Sequence, residues 1–268
     1  MFKALEFKNQ KKQTLRGVVF GGKEKKGIIF VHGFERKSCE KKFKNIIDEI
    51  KGKYYSFLFD FSGSGLSDGD FEDFTVQKLS KELKIATEIF KKKFKINEIF
   101  FIAHSLGCAI VVKFLENNIG FKNSKIVFFA PALNQKELQK YWFVKSKFKE
   151  KEITWNNFKE YIDSNTINEF DKYIQIEERE TKEHIISNQY FLENINVDYQ
   201  DILKSLKIDF KNMLIIHGLN DDKVPIQSNY DLTEKIKTLV IKEGDHDLEK
   251  PSVVRKYIKD LVEFLKKV

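Results

Sequence analysis

Short, continuous apolar runs alternate with longer stretches of helical period along this chain, and few architectures accept that pattern. The runs are GIIFV at 27–31, YSFLFD at 55–60, EIFFIA at 98–103, KIVFFA at 125–130 and NMLIIHG at 212–218. A strand that is apolar on both sides must be covered on both sides, which is the condition of a buried parallel sheet. Helix-period sequence lies between and after them at 40–51, 76–94, 105–118 and 226–237, and an amphipathic stretch closes the chain at 252–267. The expected class is α/β, a mostly parallel sheet with helices on both faces. FKALEF at 2–7 and TLRGVVF at 14–20 follow each other with no helix between, which predicts an antiparallel hairpin at the sheet edge. KTLVIKE at 237–243 predicts a last strand.

One region breaks the alternation. From Asn134 to about Ser205 no short buried run recurs, and charged, helix-like sequence carries Tyr141, Trp142, Phe143, Phe148, Trp155, Phe158, Tyr161, Phe170 and Tyr173. A stretch of that length inside a compact domain is expected to be functional rather than a bare loop. It predicts a largely helical cap at 134–205, inserted into a core formed by 1–133 and 206–268. Trp142 and Trp155, the two tryptophans of the chain, are its candidate substrate-binding residues.

Composition narrows the class of function. With 41% hydrophobic against 33% charged residues in 268, the chain can bury a large core and is not compositionally disordered. No apolar run approaches the roughly 20 residues that span a bilayer, and the first residues form no secretory signal, so a cytoplasmic protein without stable membrane insertion is expected. The net charge of +8 raises the question of a polyanion partner, but basic runs such as 23–26, 41–44 and 91–93 are scattered along the sequence and arginine is scarce. They read as solvated faces, and no nucleic-acid partner is expected. Cys39 and Cys108 have no metal-ligand spacing, and no clustered His or Cys set is present, so no metal site is expected.

The segment EIFFIAHSLGCAIVVKFL sets Ser105 directly between a strand-like run and an amphipathic helix. A tight strand-to-helix turn exposes a serine hydroxyl at the carboxyl edge of a sheet and needs small neighbours where helix and strand nearly touch. Gly107 is one; the other is Ala103, a departure from G-x-S-x-G that adds a methyl and stays small.

At this motif the sequence resembles the α/β-hydrolase superfamily, and in particular its small serine esterases: the cinnamoyl and feruloyl esterase-like enzymes and the monoacylglycerol lipase and serine aminopeptidase-like group. The loop DFSGSGLSDGDFEDFTV at 60–76 resembles the D-x-x-G-x-G-x-S-x-G stretch of these enzymes, and the likeness covers roughly 27–133 and 212–251. The resemblance implies Ser105 as nucleophile. VHGF at 31–34 matches the family's oxyanion loop, which assigns the backbone N–H groups of Phe34 and Leu106 to the oxyanion hole. HGLNDDKVP at 217–225 resembles G-x-x-D-x-x-V-P and assigns the acid to Asp221, while EGDH at 243–246 offers His246 as base. The order Ser105, Asp221, His246 is that of this fold rather than of the unrelated serine proteases.

The implied function is hydrolysis of a small-molecule carboxylic ester through an acyl-enzyme, with no cofactor. Monoacylglycerol lipase, thioesterase and aminopeptidase activities share such a site and differ in the cap and leaving-group pocket. A non-catalytic or polyanion-binding hydrolase-fold protein is the alternative of a different class. The remaining histidines have structural readings, with His104 expected to point away from the Ser105 hydroxyl. The natural acyl and alcohol groups and the oligomeric state are not legible in the sequence.

Overall fold

The computed structural model describes residues 2–267. In chain order the elements are β1 (Phe2–Lys8), β2 (Thr14–Phe20), β3 (Lys26–Val31), α1 (Lys41–Ile50), β4 (Tyr55–Phe59), α2 (Val76–Phe94), β5 (Glu98–His104), α3 (Leu106–Asn117) and β6 (Ile126–Phe129). They continue with α4 (Gln135–Lys147), α5 (Ser164–Gln175), β7 (Glu178–Glu180), β8 (Ile185–Ser187), α6 (Asn188–Asn194), α7 (Tyr199–Ser205), β9 (Met213–Gly218), α8 (Tyr230–Thr233), β10 (Lys237–Ile241) and α9 (Pro251–Lys266).

Eight strands form one sheet in the order β1-β2-β4-β3-β5-β6-β9-β10. β1 pairs antiparallel with β2 and β2 with β4; every other pair is parallel. The continuous apolar runs are the central strands: Ile28, Ile29, Phe30 and Val31 of β3, and Phe100 to Ala103 of β5, have no exposed surface. Alternate side chains feed two cores. Ile29, Phe101 and Phe128 pack with α2, α3 and α7, while Phe30, Phe100 and Phe129 pack with α1 and α9. Each such side chain, fully buried, stabilises the fold by about 1.5–3 kcal/mol. Covering both faces in this way makes the fold α/β with a mostly parallel eight-stranded sheet, the architecture expected of the sequence.

Two local expectations need correction. The stretch 226–237 is not one helix but a 3₁₀ turn at Ile226–Asn229 followed by the four residues of α8. Ser228 Oγ donates to the Pro225 carbonyl three residues back at 2.7 Å, the local competition that such side chains pose to helix formation, while Asn229 Nδ2 is drawn to the distant Pro131 carbonyl at 2.9 Å. The 134–205 region is largely helical but also contains the β7–β8 hairpin, whose three-residue strands are too short to leave an alternation signal. Within it, α7 packs against α3 through Tyr199 and Leu203, in the core of the sheet. Among the described residues no helix is long and apolar enough to cross a membrane.

Candidate active site

The carboxyl edge of the parallel strands brings together residues far apart in sequence. Ser105 ends β5 and opens α3 with φ 53° and ψ −123°, a conformation in which L-residues are strained. That turn lifts the hydroxyl off the sheet edge and leaves the residue 8% exposed. Small neighbours are required on both sides. A Cβ on Gly107 would meet the Val31 and His32 carbonyl oxygens at 2.5 and 2.7 Å, and a Cβ on Gly33 would meet that of Ser105 at 3.0 Å. Ala103, fully buried in β5, is accommodated in the same place where a glycine is usual.

Ser105 Oγ donates to His246 Nε2 across 3.1 Å, and His246 Nδ1 donates to Asp221 Oδ2 across 2.8 Å. A carboxylate can only accept, so the second bond requires the proton on Nδ1 and leaves the Nε2 lone pair facing the serine. Asp221 is buried and well served: Oδ1 accepts from the backbone N–H groups of Lys223 and Val224 (3.0 and 2.9 Å). Its burial favours the neutral acid, but hydrogen bonds from His217 and His246 outweigh this and hold the carboxyl well below its ordinary range. His217 Nε2 lies 3.3 Å from Asp221 Oδ2 and donates to the Val224 carbonyl at 2.8 Å. Asp222 has a different environment. Its side chain is 75% exposed and pairs with Lys145 at 3.2 Å.

Leu106 is the first residue of α3, so its N–H has no partner within the helix. Phe34 follows β3 in the loop that Gly33 lays against Ser105. Both residues line the cavity of about 520 Å³ into which Ser105 and His246 open, as do Trp142, Tyr190, Phe191 and Val224. Trp142 also donates its indole N–H to the Lys223 carbonyl at 2.6 Å, tying α4 to the loop that carries Asp221. Trp155 is elsewhere. It packs edge-on against Tyr141 (5.5 Å between ring centroids) and beside Phe158 (5.1 Å), and is not among the residues lining this cavity. A smaller cavity of about 230 Å³ between α4 and α5 contains none of the residues around Ser105.

Sequence reasoning missed a buried polar chain behind His246. His104 does point away from the serine hydroxyl, but it is not merely packed: its Nε2 donates to the backbone carbonyl of His246 at 3.0 Å. Its Nδ1 lies 2.8 Å from Glu40 Oε2 and 3.4 Å from Lys42 Nζ. Lys42, with a side chain only 1% exposed, also pairs with Glu40 and reaches Glu249 at 3.4 Å. A lysine at a buried position of amphipathic α1 was the one available signal. Replacing Lys42 by methionine should destabilise the protein by about 3–5 kcal/mol, because the Glu40 carboxylate would remain buried without its cation. Urea unfolding of the variant checks this, and a loss below about 1 kcal/mol would remove the ion pair from the account.

Burial is the largest influence on His104 and pushes its pKa down to about 4 from 6.5, against the pull of Glu40. The unfolded chain therefore binds the proton more readily between these values. The contribution of His104 to folding stability is complete above pH 6.5 and is lost, by about 3 kcal/mol, as the pH drops toward 4. Urea unfolding across this range should show a shallower slope in His104→Asn than in the wild type, the part that remains coming from carboxylates such as Asp221. Cys108 is fully buried, and desolvation raises its thiol pKa well above the ordinary value, which makes it inert as a second nucleophile.

A serine hydroxyl on a base whose tautomer is fixed, opening into a largely apolar cavity, is an arrangement that can carry out acyl transfer. Among the described residues no group of three or more His, Cys, Asp or Glu could hold a metal ion. Comparison with known proteins gives the family. No curated protein matches the chain. The Est1E protein of Butyrivibrio proteoclasticus, solved with ferulic acid bound, is similar at 19% identity and TM-score 0.72, over 97% of this chain and 98% of that one. An esterase of Pyrococcus furiosus is similar at 17% identity and TM-score 0.67 (99% and 91% of the two chains). A monoacylglycerol lipase of Paleococcus ferrophilus is similar at 19% identity and TM-score 0.61 (94% and 98%). The model of the family described as "Serine aminopeptidase, S33" matches residues 22–249. This chain therefore belongs to that family of hydrolases, within the α/β-hydrolase superfamily.

Proposed function

We propose that the protein is a carboxylic-ester hydrolase that works through an acyl-enzyme on Ser105. The observation that carries this reading is the continuous hydrogen-bonded chain from Ser105 Oγ through His246 to Asp221, with 3.1 and 2.8 Å links. His246 Nε2 takes the hydroxyl proton as Oγ attacks the ester carbonyl. The Phe34 and Leu106 N–H groups receive the charge that develops on the carbonyl oxygen, and Asp221 stabilises the imidazolium. The proton then passes from His246 to the leaving alcohol. Water, deprotonated by the same nitrogen, releases the acid. Residues 134–205 act as a cap, and Trp142, Tyr190 and Phe191 form the apolar wall that receives the acyl or aryl group. The relatives that bind ferulic acid or are named as esterase and lipase support a carboxylic ester as the substrate class.

A panel of p-nitrophenyl esters of increasing chain length, with thioesters and aminoacyl-p-nitroanilides alongside, tests the proposal. Ester turnover is expected to exceed anilide turnover. The reverse order would favour a peptide substrate, a reading for which Glu35 and Glu183 at the cavity rim supply possible partners for an α-ammonium group. Within the panel, Trp142→Ala should shift the preferred chain length, with a stability loss of about 1–2 kcal/mol from the lost indole bond to Lys223. Trp155→Ala should leave the preference unchanged and lower stability by about 3 kcal/mol, since it empties an aromatic cluster. A shift in preference from Trp155→Ala alone would reverse these roles.

A further inference from the structure

Basic runs that are dispersed along the sequence converge in space. In a parallel sheet all the segments leading into the strands lie at one edge, here the pole opposite Ser105. Parallel register brings Lys26 beside Glu98, Gly27 beside Tyr55, Ile126 beside Met213 and Lys237 beside Leu214. Cross-links between the segments confirm the neighbourhood: Asn97 N–H donates to the Lys25 carbonyl at 2.8 Å and Lys23 N–H to that of Gly52 at 3.0 Å. Lys125 Nζ donates to the Phe264 carbonyl at 2.9 Å.

Counted from the last helical turn in each case, the segments 21–26, 47–54, 91–98, 114–125, 202–212, 230–237 and 263–267 together hold 18 lysines, no arginine and 9 carboxylates. That is a balance of +9 at one pole of a chain whose total is +8, so the remainder of the molecule is close to neutral. Helix dipoles do not account for it. Six helices, α1, α2, α3, α7, α8 and α9, end at this pole, and at about −0.5 charge each their C-termini call for only about three compensating cations. Ion pairing removes a few more: Lys26 with Glu98 at 2.9 Å, Lys53 with Glu24 at 3.6 Å, Lys204 with Asp201 at 2.8 Å and Lys237 with Asp260 at 4.0 Å. Lys25, Lys92, Lys93, Lys95 and Lys211 are exposed.

Two large apolar side chains stand out of the same pole, Ile119 at 70% and Phe2 at 68% exposure. We infer that this face docks on an anionic lipid surface, with the lysines lying over the headgroups and Ile119 and Phe2 entering the interface. Lysine, a point charge without a planar fork, suits a diffuse layer of anionic headgroups, to which each adds an attraction that falls off within a Debye length. A nucleic acid is the weaker fit, because the face offers no arginine fork for phosphate or base edges. Docking in this way adsorbs the protein without insertion and turns the Ser105 cavity away from the bilayer.

Co-sedimentation of the full chain with vesicles tests the inference, using phosphatidylcholine with a quarter phosphatidylglycerol against phosphatidylcholine alone. The protein should pellet only with the anionic vesicles and be released by high salt. Neutralising Lys25, Lys92, Lys93 and Lys211 together to glutamine should lower partitioning at least about tenfold. The same number of changes elsewhere (Lys12, Lys37, Lys149 and Lys151 to glutamine) should leave it near wild type, separating the face from the total charge. Ile119→Ser should weaken binding several-fold at unchanged charge. All three variants should keep the circular dichroism spectrum of the wild type, since every replaced side chain is exposed. Equal losses from the two lysine sets, no effect of Ile119→Ser, or duplex DNA binding more tightly than the vesicles would each overturn the lipid assignment.

Discussion

Replacing Ser105 by alanine is expected to lower kcat on the best p-nitrophenyl ester by roughly 10⁴- to 10⁶-fold while leaving KM within a few-fold. The asymmetry follows from what the hydroxyl does. In the ground state it makes one hydrogen bond, to His246, and the cavity that holds the acyl group is built from other residues. In the proposed transition state it is the bond-forming atom. A residual rate above that in water is expected on this proposal, because the Phe34 and Leu106 N–H groups would still stabilise charge on the carbonyl oxygen when water attacks directly. Steady-state kinetics checks this; a fall confined to KM would mean that Ser105 binds substrate rather than attacks it.

The second large effect separates two adjacent carboxylates. Asp221→Asn should reduce kcat by about 10⁴-fold, and Asp222→Asn should be nearly silent. The backbone N–H groups of Lys223 and Val224 both donate to Asp221 Oδ1, so an asparagine at 221 keeps its carbonyl oxygen there. Its NH₂ group then occupies the position of Oδ2, 2.8 Å from His246 Nδ1. A donor at that point forces the imidazole proton to Nε2, where it blocks acceptance of the serine proton. Asp222 faces solvent and Lys145, and its loss leaves this chain of bonds intact. Kinetics of the two variants at one pH decides between them, and the opposite pattern would transfer the acid to Asp222.

The fold was legible because strands buried on both faces leave continuous apolar runs, and the runs at 27–31 and 98–103 became β3 and β5 with no exposed side chain between Ile28 and Val31. Ser105 was legible for a local reason, a serine between a strand and a helix with Gly107 beside it. Asp221 and His246 needed the resemblance, since nothing local distinguishes Asp221 from Asp222 or His246 from His217. What stayed hidden depends on long-range pairing. Lys42 stands out only as a lysine on the apolar side of α1, and its partners are not evident until α1 is laid against the loop that carries Glu249. Tyr190 and Phe191 reach the cavity because the β7–β8 hairpin turns the chain back just before them, and strands of three residues carry no periodicity. The basic pole was invisible for the same reason, because parallel register rather than sequence proximity gathers its lysines.

The most direct test of an acyl-enzyme on Ser105 is covalent trapping. Incubation with a fluorophosphonate, followed by intact mass and peptide mapping, should give a single adduct on Ser105 that is absent from Ser105→Ala and much slower to form in Asp221→Asn. An adduct on Ser62 or Ser64, or an unlabelled wild-type protein that still hydrolyses esters, would contradict it.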